Sequence, residues 1–262
     1  MTTAQPALAA GRPVPDAPGG AAVHEAVSYD AVVFDLDGTL VDPAGGITGG
    51  IAHALHSLGL PVPAPEMLDR MVGPKLADGL VNILGVPEPQ VPAVIASYRS
   101  WYAERGMAMS AVYPGIKELL GLLRARGAQL AVATQKPEPL AQTLLAHHGL
   151  AGCFDVIRGS HADETLMPGD AGYRAGKAEI IAAALDAMPG ADRAVMVGDR
   201  HQDVNGARAN GLDCIGVAWG FAPDGELEAA GAAGVVHSTE GLLQALAAEP
   251  ARAAGEAADG AV

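Results

Sequence analysis

Val32-Val33-Phe34-Asp35-Leu36-Asp37-Gly38-Thr39-Leu40 reads as a buried strand that delivers two carboxylates at its end. Three consecutive apolar residues with strong strand preference suit a strand covered on both faces, as in a parallel sheet. Open sheets of that kind bind ligands beyond the carboxyl ends of their strands, where Asp35 and Asp37 stand. Alternate side chains on an extended segment point to opposite faces, so the two acids share one site only if the chain bends after the strand. Gly38 permits that bend. A surface turn is the competing reading, because Asp and Gly favour turns, but here both acids directly follow an apolar run. An EF-hand loop is excluded: it needs Gly at its sixth position, and counting from Asp35 that position is Leu40.

A chain of 262 residues, 50% of them hydrophobic, can bury a full core, and one main domain with a large insertion is expected. The balance of 16 Lys+Arg against 30 Asp+Glu gives a net charge of -14. That charge repels a phosphate backbone, so no nucleic-acid partner is expected. A small phosphorylated metabolite remains accessible if a metal ion and a few local cations offset the charge at the site. Cys153 and Cys214 sit in sequence that reads as core, which suits reduced thiols and a cytoplasmic setting. No basic segment leads into an apolar one at the N-terminus and no run of 18 apolar residues occurs, so neither secretion nor a membrane partner is expected.

Residues 1–28, rich in Ala, Pro and Gly without apolar periodicity, are expected to form a disordered leader. A first strand follows at 31–35. After Asp42-Pro43 the spacing turns helical (Ile47, Ala52, Leu55, Leu58), with further helices near 75–84 and 90–105 and no convincing strand. Beyond Tyr113-Pro114-Gly115 the pattern alternates: helix 116–126, strand 129–134, helix 138–148, strand 154–158, helix 176–187, strand 194–198, helix 202–210, strand 213–217, helix 239–247. Alternation of this kind predicts right-handed crossovers and an α/β fold, a Rossmann-like parallel sheet with helices on both faces. The expected partition is a core of 29–43 and 113–247, an inserted helical cap of 44–112 over the strand ends, and a flexible tail of 248–262.

Two further strand ends carry polar residues. Strand 129–134 finishes at Thr134, before Gln135-Lys136-Pro137, and strand 194–198 finishes at Gly198-Asp199, with Asp203 one helical turn later on the same face. Lys177 opens the helix after the third strand. Carboxylates at that density suit a hard cation such as Mg2+, whereas a softer metal would want Cys or His ligands. The eight histidines show no paired metal spacing, since His147 and His148 are adjacent. Other phosphate-binding devices are missing. Gly172 to Lys177 is one residue short of a P-loop and lacks the following Ser/Thr, and neither a G-x-S-x-G elbow nor a GxGxxG fingerprint occurs.

Asp35 to Leu40, Thr134, Lys177 and Gly198-Asp199 through Asp203 resemble, in order, the four motifs of the haloacid dehalogenase superfamily of phosphohydrolases. Val72-Gly73-Pro74, Tyr113-Pro114-Gly115, Lys136-Pro137 and Trp219-Gly220 are similar to its phosphoglycolate phosphatase and 5'-nucleotidase-like subgroup, with a helical cap of the first type. The resemblance implies a Mg2+-dependent phosphatase acting through an aspartyl-phosphate, with Asp35 as nucleophile and Asp37 as acid and then base. It implies that Asp35, the carbonyl of Asp37 and Asp199 hold the metal with support from Asp203, and that Thr134 and Lys177 bind the phosphoryl oxygens. Gly38, Thr39, Gln135, Gly73, Lys75 and Arg174 complete the candidate substrate contacts. Three departures from the family pattern stand out. Gln135 replaces a small hydroxyl residue, Lys75 replaces a common Pro, and the longer stretch from Asp163 to Gly172 brings Arg174 into competition with Lys177 for the phosphate. A phosphomutase, or protein-directed (tyrosine) phosphoryl transfer, would keep the same core. The oligomeric state is expected to be a monomer or a homodimer.

Overall fold

The computed structural model describes residues 28–162, 174 and 176–248. The leader expected over 1–28 and the tail over 248–262 lie outside the described residues apart from Ser28 and Ala248, and so does the stretch 163–172.

The first strand, β1 (Ala31–Phe34), is buried along its whole length. It leads through a tight loop to β2 (Val41–Asp42) and then into helices α1 (Gly46–Ser57), α2 (Pro65–Asp69), α3 (Leu76–Asn82) and α4 (Val91–Trp101). A π-helical turn (Tyr102–Gly106) and a short α5 (Met107–Met109) bring the chain back to β3 (Ala111–Val112). From there α6 (Ile116–Ala125), β4 (Gln129–Pro137), α7 (Glu138–His147), β5 (Val156–Ser160), α8 (Lys177–Leu185), β6 (Ala194–Gly198), α9 (His201–Ala209), β7 (Asp213–Val217), α10 (Glu226–Ala230), β8 (Gly234–Val236) and α11 (Thr239–Ala247) alternate.

Six strands form one parallel sheet in the order β5-β4-β1-β6-β7-β8. Alternation along the central strands separates two cores. Val32, Phe34, Leu130, Val132, Val195 and Val197 face α6, α7 and α11. Ala31, Val33, Ala131, Ala133 and Met196 face α8, α9 and α10. Helices on both faces explain why β1 has no polar position until its end. The chain moves from β1 to one side (β4, β5) and then returns to the other (β6, β7, β8), so the direction of winding reverses beside β1. Ligands bind outside the carboxyl ends at such a reversal.

The helices between β2 and β3 bury a third apolar cluster of their own, built on Ile47, Ile51 and Leu55 of α1 with Leu80, Val94, Tyr98 and Tyr102. Their spacing of three to four residues is the helical period. Leu140 and Phe221, which follow β4 and β7, pack against this cluster, so the insertion lies over the carboxyl edge of the sheet. No helix among the described residues is long and apolar enough to cross a membrane.

Four details differ from the sequence reading. The insertion carries β3, which pairs antiparallel with β2 (Val41 with Val112, Asp42 with Ala111) in a segment expected to be helical throughout. Two-residue strands are too short to show a period. β5 begins at Val156 rather than 154, because Cys153 closes a 3-10 turn (Ala151–Cys153). β4 runs on past Thr134 to Pro137, with an irregular register between Ala133 and Pro137. The edge strand β8 and the short α10 were not expected, since Gly234 and the Ala-rich flanks weaken any strand signal there.

Candidate active site

β1 ends at Phe34, and the amide of Asp35 still donates to Val197 O at 2.9 Å, so the acid is held at the sheet. The chain then folds back on itself, with Gly38 N bonded to Val41 O and Leu40 N to Leu36 O. Gly38 makes that return at φ 91, and a Cβ there would sit 2.2 Å from Asp199 Oδ2. Only glycine meets both conditions. The bend expected after the strand is therefore present, and it sets Asp35 and Asp37 together on the wall of one cavity.

Around Asp35 the carboxylates converge from the end of β6 (Asp199) and the first turn of α9 (Asp203). Single oxygens of Asp35, Asp199 and Asp203 lie within 4.8 Å of one another, and all three residues are buried. Lys177, the first residue of α8, places Nζ 2.5 Å from Asp35 Oδ1, 2.7 Å from Asp203 Oδ1 and 2.9 Å from Ala133 O. Asp203 also accepts from Arg200 N at 3.0 Å through Oδ2, fixing the first turn of α9. Asp199 accepts from Thr39 Oγ1 (3.2 Å) and from Phe221 N (2.8 Å). Gly220 passes as closely as Gly38 does, its Cβ position being 2.3 Å from Asp199 Oδ2. Trp219 Nε1 donates to Thr39 O at 3.1 Å and closes the loop from that side.

Burial of the acids has electrostatic consequences. Desolvation pushes the Asp35 carboxyl up to about 7 against the pull of Lys177, with Asp203 and Asp37 adding to the rise. Burial, followed by Asp35 and Asp203, raises Asp199 well above the ordinary carboxylate range. Burial alone would lower Lys177, yet Asp203 and Asp35 hold it above the usual lysine value. Three buried carboxylates, only two of which (Asp35 and Asp203) are paired with Lys177, carry an excess of negative charge. Such an all-oxygen donor set suits a hard divalent cation, Mg2+ above all, and Asp35, Asp199 and Asp203 are the residues that would hold it. The Asp37 carboxylate stands apart from the three: its Oδ2 pairs with Lys136 Nζ at 2.9 Å.

The cavity beneath the insertion, of about 50 Å³, is lined on the core side by Asp35, Asp37, Thr134, Gln135 and Lys136, and on the other by Ile47, Met71, Gly73, Pro74, Leu76, Tyr98 and Arg99. Gln135 Nε2 donates to Gly73 O at 2.9 Å, joining two candidate substrate contacts to each other. Lys75 Nζ donates to Arg174 O, and its neighbours Gly73, Pro74 and Leu76 rather than Lys75 line the cavity. The Arg174 guanidinium is bonded to Gly159 O (2.6 Å) and to Glu138 Oε2 (3.2 Å). Thus the structure brings Lys177 to the acids and ties Arg174 to the start of α7. Arg200, which lies within the motif from Gly198 to Asp203 but has no role assigned from sequence, reaches from the core to Val72 O (2.5 Å) and is braced by Glu226 at 2.9 Å. Lys136, part of the Lys136-Pro137 motif but given no role there, reaches Asp37 from the irregular end of β4.

Residues 32–217 match the family model described as haloacid dehalogenase-like hydrolase. The chain belongs to that family. Among curated relatives of this haloacid dehalogenase-like hydrolase, the tyrosine-protein kinase PtkA of Mycobacterium tuberculosis is 43% identical over 195 residues, 74% of this chain and 64% of that protein. The chain thus spans a little under two thirds of the length of that relative. The 5'-nucleotidase of Pseudomonas aeruginosa is 37% identical over 205 residues, covering 78% of this chain and 89% of that one. A predicted phosphatase from Clostridium acetobutylicum, known from its crystal structure, superposes with a TM-score of 0.75 at 36% identity, over 83% of this chain and 98% of that one.

Proposed function

We propose that the protein is a Mg2+-dependent phosphoric monoester hydrolase that cleaves a small-molecule phosphate ester through an aspartyl-phosphate on Asp35. One observation carries the reading: Asp35, Lys177, Asp199 and Asp203 meet at the ends of adjacent central strands, within reach of one cavity that also holds Asp37. In this reading residues 29–43 and 113–247 are the catalytic core and 44–112 the cap.

Mg2+, when bound, offsets the charge of the phosphoryl group against the acids. The residues of the chain do the rest. Asp35 attacks phosphorus while Asp37 gives its proton to the departing oxygen, and Asp37 then takes a proton from the water that cleaves the aspartyl-phosphate. Thr134 and Lys177 donate to the phosphoryl oxygens, where negative charge is concentrated in the transition state. The name of the Pseudomonas aeruginosa relative points toward a nucleotide-type substrate, and the motif resemblance toward a phosphoglycolate-type one as well. Both cysteines are free, which accords with a cytoplasmic setting.

The experiment is a screen of phosphorylated metabolites with Mg2+, reading free phosphate, with Asp35→Asn as the control. Phosphate release by the native chain and none by Asp35→Asn is the expected result; equal release by both would reject the covalent route. The 43% identity to a protein named as a tyrosine kinase favours a second reading, phosphoryl transfer to protein tyrosine. Phosphotyrosine formed from a labelled nucleotide, in place of free phosphate, would select it.

A further inference from the structure

We infer that Lys136 is a positioning residue that holds Asp37 for proton exchange; this rests on the reading of Asp37 as the acid and base. The Lys136 side chain is only 6% exposed, and its Nζ lies 2.9 Å from Asp37 Oδ2. The ammonium also lies over the ring of Tyr102, with 4.9 Å from Nζ to the centroid. Burial by itself lowers the Lys136 ammonium, but Asp37, Tyr102 and Tyr98 raise it above the ordinary lysine value, so the cation stays charged.

The partners of the two Asp37 oxygens are unequal. Oδ2 is committed to Lys136, whereas Oδ1 is buried without a hydrogen-bond partner among the described residues. A buried carboxylate oxygen left without a partner costs stability, and the Asp35, Asp199 and Asp203 carboxylates beside it are each engaged by donors. In the proposed reaction Oδ1 carries the proton that passes to the leaving oxygen as its bond to phosphorus breaks and the Asp35–phosphorus bond forms. The same oxygen then takes a proton from the attacking water as Asp35 is released. By occupying Oδ2, Lys136 fixes which oxygen does this work. Because Tyr102 belongs to the insertion, the seat of the cap against the core helps to hold that arrangement.

A purely structural ion pair predicts something different, since buried pairs are commonly replaceable as a unit. The test is kcat/KM, which covers the steps through departure of the leaving group, on an alkyl phosphate and on 2,4-dinitrophenyl phosphate. The alkyl leaving group needs a proton and the dinitrophenolate does not. Lys136→Met is expected to lower the alkyl value about a hundredfold and the aryl value by less than about tenfold, within the range attributed to general acid catalysis. Equal losses on both esters would overturn the inference. Asp37→Asn serves as calibration: if it fails to discriminate between the esters, the acid assignment itself has failed and the inference falls with it. If it discriminates and Lys136→Met does not, only the inference falls.

Lys136→Met leaves a buried carboxylate unpaired and can unfold the chain. The double variant Lys136→Met/Asp37→Asn carries no unpaired charge and completes a cycle. Acting through Asp37, the lysine should cost nothing further on the Asp37→Asn background. A loss of the same size on both backgrounds would show that it acts independently and would also overturn the inference.

Discussion

The core side of the cavity and its insertion side are held in different ways. At the crest of the sheet, Asp35, Asp199 and Asp203 each accept from defined donors, and two lysines reach them or their neighbour Asp37 from within the fold. Across the cavity, Ile47, Met71, Leu76 and Tyr98 offer apolar surface beside the charged Arg99, and the loop at 72–74 is fixed by its backbone carbonyls, through Arg200 to Val72 and Gln135 to Gly73. The first wall is specified by side-chain chemistry, and a single substitution leaves a buried charge unpaired. The second is specified by shape and by main-chain contacts, which many side chains satisfy. In the proposed enzyme the first handles the phosphoryl group common to all substrates, and the second meets what differs among them.

The largest effect that would break this contrast is at Asp35. Asp35→Asn keeps the shape and removes the nucleophile, so phosphate release should fall by about four orders of magnitude or more, to background. Next comes the cation of the core wall. Lys177→Ala should lower kcat/KM about a hundred- to a thousandfold, the scale for losing one preorganised donor, while Arg174→Ala, whose guanidinium is tied to Glu138, should cost far less. The reverse ranking in steady-state kinetics would move the phosphate site to Arg174.

The contrast also predicts a pH dependence confined to the core wall. Asp35 is raised to about 7 and Asp199 is raised as well, so the folded metal-free protein binds protons that the unfolded chain has released. The stability contributed by these groups is present at acid pH and falls as pH rises from the unfolded carboxylate value through about 7. Mg2+ needs the ionised form and therefore competes with the proton. Thermal unfolding with and without Mg2+ should show a larger Mg2+-dependent rise in Tm at about pH 8 than at about pH 5.5. EDTA should remove the rise together with the activity. A rise that is equal at both pH values would detach the acids from the metal.

The smallest effects belong to the insertion wall. Leu76→Ala should shift kcat/KM by about tenfold, unequally among esters of different leaving groups, as expected for a few methylenes in an apolar pocket. Lys75→Ala, which removes a strut to the Arg174 carbonyl, should cost less and cost the same on phosphoglycolate, a nucleoside monophosphate and p-nitrophenyl phosphate. A loss at Lys75 confined to the doubly anionic esters would make it a reader of the substrate after all.

The fold was legible where one local rule sufficed. The apolar run into Asp35, the strand end at Asp199 and the helical spacing of Asp199 to Asp203 each lie within a few residues, and they sufficed to predict a parallel sheet with its polar groups at one edge, although β4 ends three residues beyond Thr134. The pairing of β2 with β3 was not legible, because each is two residues long and its partner is some seventy residues away. The contact of Lys136 with Asp37 was equally hidden: Lys136 follows Thr134 by an even step, but nothing local says that the cation pairs with an acid 99 residues earlier. Arg200 was hidden for the same reason, since its partners Val72 and Glu226 lie far away in sequence on either side.

The ribbon of β2 and β3 gives the insertion a single doorway. The chain leaves the core at Asp42 and returns at Ala111, and these two residues are paired neighbours, about 5 Å apart as such pairs are. Whatever lies between them closes a loop whose ends are already joined, and the entropy of closing such a loop grows only slowly with its length. The six-stranded sheet therefore needs only that its guest begin and end side by side, while Arg200, Gln135 and Lys136 supply the further contacts that seat this particular guest. Segments of different size and shape can be exchanged at that doorway without disturbing the register of the six-stranded sheet, which makes it a natural splice point for grafting new substrate-facing modules onto unchanged chemistry.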